Sequence, residues 1–236
     1  MVKQILPGMQ YRFPMRINKV VDLSVVVGPD TQVYPGDPVP ELAVHSTIAR
    51  DGFNLLSVHI GSQTGTHVDA PYHFDEAAPK IDQLPLERFV GPGVIVDATA
   101  PGPRGRITWD YIEPVAHLLQ PGCIVLFRTG WSRHYGTAAY FENPFLDAEA
   151  CRRLIELGVR TFGLDALNID ETPDAVHPGD GFPVHHLIAD VAGVICENLT
   201  NLDAIDFADP FISLLPINLR EADGAPVRAV AIQHAS

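Results

Sequence analysis

The stretch from Cys123 to Leu164 limits the choice of fold more than any other part of the chain. An apolar run, Cys123–Thr129, leads to a helix-forming segment, Ala148–Leu157, and then to a second apolar run, Arg160–Leu164. Asp147 is a good helix N-cap, Glu149 lies in the first turn, Arg152 and Arg153 come later, and Gly158 supplies the stop. Strand, helix, strand in that order predicts a parallel crossover, because parallel neighbours need a long connection between them. The class expected is therefore mixed α/β, with more strand than helix.

The remaining sequence is punctuated by 21 prolines and 19 glycines between short apolar segments. That pattern suits short strands joined by structured loops. Further strands are expected at Val20–Val27, Leu42–Ile48, Leu55–Ile60, Gly93–Asp97, Gly193–Asn198, Ile212–Asn218 and Val227–Ile232. Pro183 can open a short helix running to Ala189. Thr108–Leu119 also has helical character, although Pro114 requires a late start or a kink. Residues 20–236 are expected to form one domain, with residues 1–19 as an N-terminal extension.

The 16 basic and 29 acidic side chains leave a formal charge of −13. This balance argues against nucleic acid or an anionic membrane as a partner, since both call for a basic patch. Apolar runs such as Val25-Val26-Val27 and Ile124-Val125-Leu126-Phe127 are strand-sized and too short to span a bilayer. Lys3, Arg12, Arg16 and Lys19 are not followed by an apolar core and small-residue cleavage site, so no secretion signal is expected. Cys123, Cys151 and Cys196 are odd in number and form no Cys-x-x-Cys pair, which fits a reducing cytoplasm.

The chemistry concentrates in Gln63-Thr-Gly-Thr-His67-Val-Asp69-Ala-Pro71-Tyr-His73-Phe74. In an extended chain His67 and Asp69 point to the same face, and Gln63 shares their parity. Imidazole and carboxylate on one face suit a divalent metal such as zinc or manganese. His73, arriving after a bend at Pro71, is placed to handle protons. The bland alternative is a turn whose Asp and Thr bond the backbone. His59 keeps the same parity, but a buried, hydrogen-bonded role is expected for it.

A second cluster joins His185-His186, on the short helix after Pro183, to Glu197 inside the apolar run Val194–Leu199. A carboxylate there is costly unless it is paired or bound to metal. The alternative for Glu197 is a buried salt bridge. Together Gln63, His67, Asp69, His185 and Glu197 make a nitrogen and oxygen ligand set without sulfur, which favours an open, catalytic site. Asp69 is placed to bridge two metals if both are present.

These segments resemble the cyclase family of metal hydrolases, which includes bacterial kynurenine formamidases and isatin hydrolases. Gly-Thr-His67-x-Asp69-x-Pro71-x-His73-Phe74 carries the resemblance, with Tyr34-Pro-Gly-Asp37-Pro, His185-His186-Leu187, Glu197-Asn198 and Ala222-Asp223-Gly224-Ala-Pro226-Val-Arg228-Ala following the family's order. The resemblance implies a swivelling β/β/α fold, a homodimer or homotetramer, and hydrolysis of an amide at one or two divalent ions, Zn2+ or Mn2+. His67 and Asp69 match metal ligands, His185 and Glu197 match second-metal ligands, and His73 matches the catalytic histidine. Tyr34 falls where an aromatic residue lines the substrate pocket. Gln63 departs from the formamidases, which carry a metal-binding histidine there; its amide oxygen is a weaker, harder ligand and points to a single metal or to manganese.

The function expected is cleavage of a carbon–nitrogen amide bond, cyclic or N-formyl, in a small, aromatic substrate. Metal-activated water would do the chemistry, with His73 as general base and acid and Glu197 beside it at the metal. The alternatives are a kynurenine formamidase proper, a cyclase or dehydratase using the same site, and a non-catalytic metal-binding relative.

Overall fold

Parallel strands buried on both faces form the middle of the molecule, and antiparallel strands close it on either side. The computed structural model describes residues 16–235. The strands are β1 (Ile17–Asp22), β2 (Glu41–Ser46), β3 (Leu55–His59), β4 (His67–Asp69), β5 (Val90–Asp97), β6 (Arg106–Ile107) and β7 (Ile124–Arg128). After them come β8 (Phe145–Leu146), β9 (Thr161–Leu164), β10 (Val194–Glu197), β11 (Phe211–Ser213), β12 (Gly224–Pro226) and β13 (Val230–His234). The helices are α1 (Ile48–Asp51), α2 (Trp109–Ile112), α3 (Ala148–Glu156) and α4 (Pro183–Ala189). A nine-stranded sheet runs in the order β1-β13-β11-β5-β7-β9-β10-β4-β12. The expected mixed α/β fold is what the chain adopts.

The crossover predicted from sequence is present. β7 and β9 pair in parallel and α3 connects them. Asp147 caps α3 by accepting from the backbone N–H groups of Glu149 and Ala150. A second crossover follows, in which α4 lies between the parallel strands β9 and β10. On one face of the sheet Val125, Phe127, Phe162 and Ile195 pack with Leu154 of α3 and with Val184 and Ile188 of α4. On the other, Val68, Leu126 and Cys196 pack against Leu23, Ile81, Leu84, Phe89 and Leu199. Both faces are thus covered, which explains why the parallel strands read as unbroken apolar runs.

Several boundaries differ from the sequence expectation. Pro114 divides Thr108–Leu119 into α2 and a 3-10 segment, Glu113–Leu118, because proline lacks the N–H that an α-helix interior needs. The strand expected at Val227–Ile232 begins later, as β13, which pairs with β1 and β11, and the short β12 that precedes the run pairs instead with β4. The first strand begins at Ile17 rather than Val20, in register with β13. Of the extension expected at residues 1–19, residues 1–15 lie outside the described residues, and Ile17–Lys19 run within β1.

The hairpin β2–β3 stands apart from the main sheet. Val44, Leu55, Leu56 and Val58 on it are all exposed. His59 is exposed there too, so it is not the buried residue expected; without a layer packed over β3, parity alone does not bury a side chain. No helix among the described residues is long and apolar enough to cross a membrane.

Candidate metal centre and active site

The site is built on the sheet's far end, where β10, β4 and β12 lie side by side. β4 runs antiparallel to β10 with His67 opposite Glu197 and Asp69 opposite Ile195. Alternation along β4 sends His67 and Asp69 to one face and leaves Val68 in the apolar core. Glu197 emerges on the face shared with His67, and α4 presents His185 to the same space. All four side chains are buried: His67 and Asp69 are 4% exposed, His185 5% and Glu197 7%.

His67 Nε2 lies 3.4 Å from Asp69 Oδ1 and 3.8 Å from Glu197 Oε2. His185 Nε2 lies 3.7 Å from Asp69 Oδ2 and 3.6 Å from Glu197 Oε1. One ligand atom each from His67, Asp69 and Glu197 fit within 4.8 Å of one another. The two imidazoles converge because each has its other nitrogen occupied. His67 Nδ1–H donates to the Gly65 carbonyl at 2.8 Å, and His185 Nδ1–H donates to Asp170 Oδ2 at 2.7 Å. Such outer partners fix tautomer and ring orientation, and leave both Nε2 atoms free as donors.

Burial and close opposite charges perturb every one of these four groups. Burial disfavours a charge on His67, yet Asp69 and Glu197 lift its pKa to about 9. His185 likewise resists burial, and its bonds to Asp170 and Asp69 raise it to about 10. Burial, reinforced by the charge on Asp69, pushes Glu197 up to about 7. Burial would raise Asp69 as well, but the flanking His67 and His185 hold it below the usual carboxylate range. Two oxygens, Asp69 Oδ1 and Gln63 Oε1, are buried without any hydrogen-bond partner. Orphaned acceptors beside inward-facing imidazoles and paired carboxylates are the chemistry of a divalent-cation site, so the residues fit the metal the sequence implied.

Gln63 reaches this site by a different route from the one its parity suggested. Residues 62–66 form turns and bends rather than strand, with Gly65 at a φ of +65°. A Cβ on Gly65 would stand 2.9 Å from Val27 Cγ2, so both backbone and space require glycine. The turn still delivers the Gln63 side chain to the pocket wall. His73 sits at the end of a 3-10 turn, Pro71–His73, that turns the chain immediately after β4. Its Nδ1 lies 3.1 Å from Asp223 Oδ2. Burial opposes its charge, but Asp223 raises its pKa above the ordinary value.

These groups open into a cavity of about 230 Å³ that Tyr34, Asp37, Phe74, Leu167 and Phe182 also line. Phe74 stacks on His185 with ring centroids 4.3 Å apart, and Phe182 stands 5.6 Å from Phe74. Asp37, Asp170, Phe182 and Asp223 carry parts of the site that sequence reasoning assigned no role. Asp170 was the one with a local signal, an acid within the apolar stretch that follows β9.

The Cyclase family model, described as "Putative cyclase", matches residues 21–171. The chain belongs to this family. A kynurenine formamidase of Bacillus cytotoxicus is 32% identical over 221 residues, covering 92% of this chain and 98% of that one. Isatin hydrolase A from Labrenzia aggregata, solved with benzyl benzoate, superposes with a TM-score of 0.81 at 27% identity, covering 91% of this chain and 93% of that one. The structure described as a potential metal-dependent hydrolase with cyclase activity gives a TM-score of 0.74 at 29% identity, covering 92% and 99%. The expected class, a metal-dependent hydrolase of carbon–nitrogen bonds other than peptide bonds, agrees with the formamidase and hydrolases it resembles.

Proposed function

We propose that this chain hydrolyses a carbon–nitrogen amide bond, cyclic or N-formyl, in a small aromatic substrate. The observation that carries the reading is the convergence of His67, Asp69, His185 and Glu197 beneath a cavity edged by His73. These four residues, with Gln63 through its unpaired Oε1, would hold a divalent ion, Zn2+ or Mn2+. Such an ion supplies Lewis acidity toward a carbonyl and lowers the pKa of bound water.

The chain's own groups do the rest. His73, one-third exposed at the cavity edge, takes a proton from the attacking water and returns it to the leaving nitrogen. Glu197 accepts the Ile169 N–H at 2.8 Å, which fixes its carboxylate in place beside His67 and His185. Tyr34, Phe74 and Phe182 form an aromatic wall suited to a planar ring. A single-ring or fused-ring substrate matches the cavity volume.

The relatives support this choice of bond, since one is named for a formamide and another for isatin, a cyclic amide. The oligomer is a homodimer or homotetramer, a reading supported by the exposed apolar hairpin β2–β3, which nothing among the described residues covers. Three buried, unpaired cysteines support a reducing, cytoplasmic setting. Assay of isatin, N-formylkynurenine and a panel of aryl amides, with light scattering for the oligomer, tests the reading. Turnover of at least one amide by the wild type, lost in His73→Ala with its metal retained, is expected. Full activity in that variant would remove His73 from its role.

A further inference from the structure

Asp223 contacts two residues of the cavity wall, Gln63 and His73, without lining the cavity itself, and the structure builds a support around it. Its backbone carbonyl accepts the Ala70 N–H at 2.8 Å, tying it to the segment between Asp69 and His73. The next residue, Gly224, stands opposite Asp69 in the β12–β4 pair. A Cβ on Gly224 would come within 2.6 Å of the Val68 carbonyl and 2.8 Å of Gln63 Nε2. The missing side chain lets the Gln63 amide lie against this strand.

One oxygen of Asp223 serves two donors. Gln63 Nε2 donates to Oδ2 at 3.0 Å, and His73 Nδ1 lies 3.1 Å from the same atom. An ionised carboxylate only accepts, so this contact holds a proton on His73 Nδ1, and in the neutral ring Nε2 is then the lone-pair nitrogen. The same reasoning sets the Gln63 amide. Its NH2 faces Asp223 and its Oε1 turns away, which is the buried oxygen left without a partner.

Resting on the reading of His73 given above, we propose that Asp223 is the positioning residue that fixes the tautomer and aim of His73, with Gln63 as its brace. In the hydrolytic step the water oxygen bonds to the amide carbon as its O–H bond breaks and that proton bonds to His73 Nε2, while the Nδ1 proton stays on the ring, hydrogen-bonded to Asp223. The Nε2 proton then passes to the amide nitrogen as the C–N bond breaks, giving a carboxylic acid and an amine, and His73 returns to its starting form. Asp223 gains and loses nothing; it keeps the lone pair facing the substrate through both transfers. Gln63 thereby has work at both ends of its amide, a task that an imidazole at this position would share between its two nitrogens.

The test compares Asp223→Ala, Asp223→Asn, His73→Ala and the double variant Asp223→Ala/His73→Ala in metal-loaded protein, with metal content measured on each. Asp223→Ala is expected to lower kcat, expressed per bound metal ion, about 10- to 100-fold with KM unchanged. Asp223→Asn keeps an acceptor oxygen and is expected to restore much of that loss. In the His73→Ala background, Asp223→Ala should cost nothing further. Ring ¹⁵N shifts of His73 in the zinc-loaded protein should report Nδ1–H in the wild type and a mixed tautomer in Asp223→Ala. Losses that add in the double variant, or an unchanged tautomer, would overturn the assignment. A His73→Ala variant with full activity would instead refute the parent reading of His73, which keeps the two failures distinct.

Discussion

His67 and Glu197 face each other across the β4–β10 pair, with Nε2 and Oε2 3.8 Å apart. A strand register therefore joins the two halves of the site, and the donor set is as rigid as the sheet beneath it. Glu197→Gln keeps the shape and removes the charge. Metal content per chain, measured by mass spectrometry of the purified protein, should fall well below that of the wild type. Amide turnover should fall at least about 100-fold, since a metal's charge stabilisation is worth several kcal/mol. Unchanged metal content would place the ion elsewhere.

Asp170 acts on the centre without facing it. It accepts both the His185 backbone N–H at 3.0 Å and the His185 Nδ1–H at 2.7 Å. Asp170→Asn is expected to weaken metal affinity by about 10- to 100-fold while the fold persists. Competition with a chelator of known affinity measures this directly.

The metal-free protein should lose stability as pH rises. His67 and His185 have folded-state values of about 9 and about 10, above the ordinary 6.5. Their contribution is complete below 6.5 and disappears as pH climbs through the raised values. Glu197, raised from 4.5 to about 7, has the same sign. Asp69, lowered by its neighbours, loses its contribution only at acid pH, outside this window. Thermal unfolding of the chelated protein should show a falling Tm between pH 6.5 and 10. Metal-loaded protein has already shed these protons and should show a flatter profile. A chelated protein whose Tm rises over that window would contradict this account.

Gly224 tests the close packing at β12. In Gly224→Ala the new Cβ meets backbone at the Val68 carbonyl, which cannot rotate away. A loss of about 1–3 kcal/mol is expected in denaturant unfolding, as for other overpacked positions. A variant as stable as the wild type would show that β12 can move.

Some of this was legible in the sequence because the physics is local. The cap at Asp147, the stop at Gly158 and Pro at the start of α4 each mark a helix end within a few residues. Glu197 stood out because a carboxylate inside an apolar strand must have a partner. His67 and Asp69 share a face by strand alternation, and the sheet honours that. Other features depend on who pairs with whom. Gln63 shares the parity of His67 but lies in a turn, so its route to the pocket comes from Gly65 rather than from alternation. Asp223 gains its meaning only when β12 docks beside β4 and brings it to His73. The isolation of β2–β3 is equally non-local, since each strand alone reads as one more member of the sheet.

The central claim is that a divalent ion held by His67, Asp69, His185 and Glu197 is required for amide hydrolysis. The most direct measurement is turnover of an accepted amide by one preparation before chelation, after complete metal removal, and after a divalent ion is restored. Loss on removal and recovery on restoration is the predicted result. Turnover that survives in metal-free protein would contradict it.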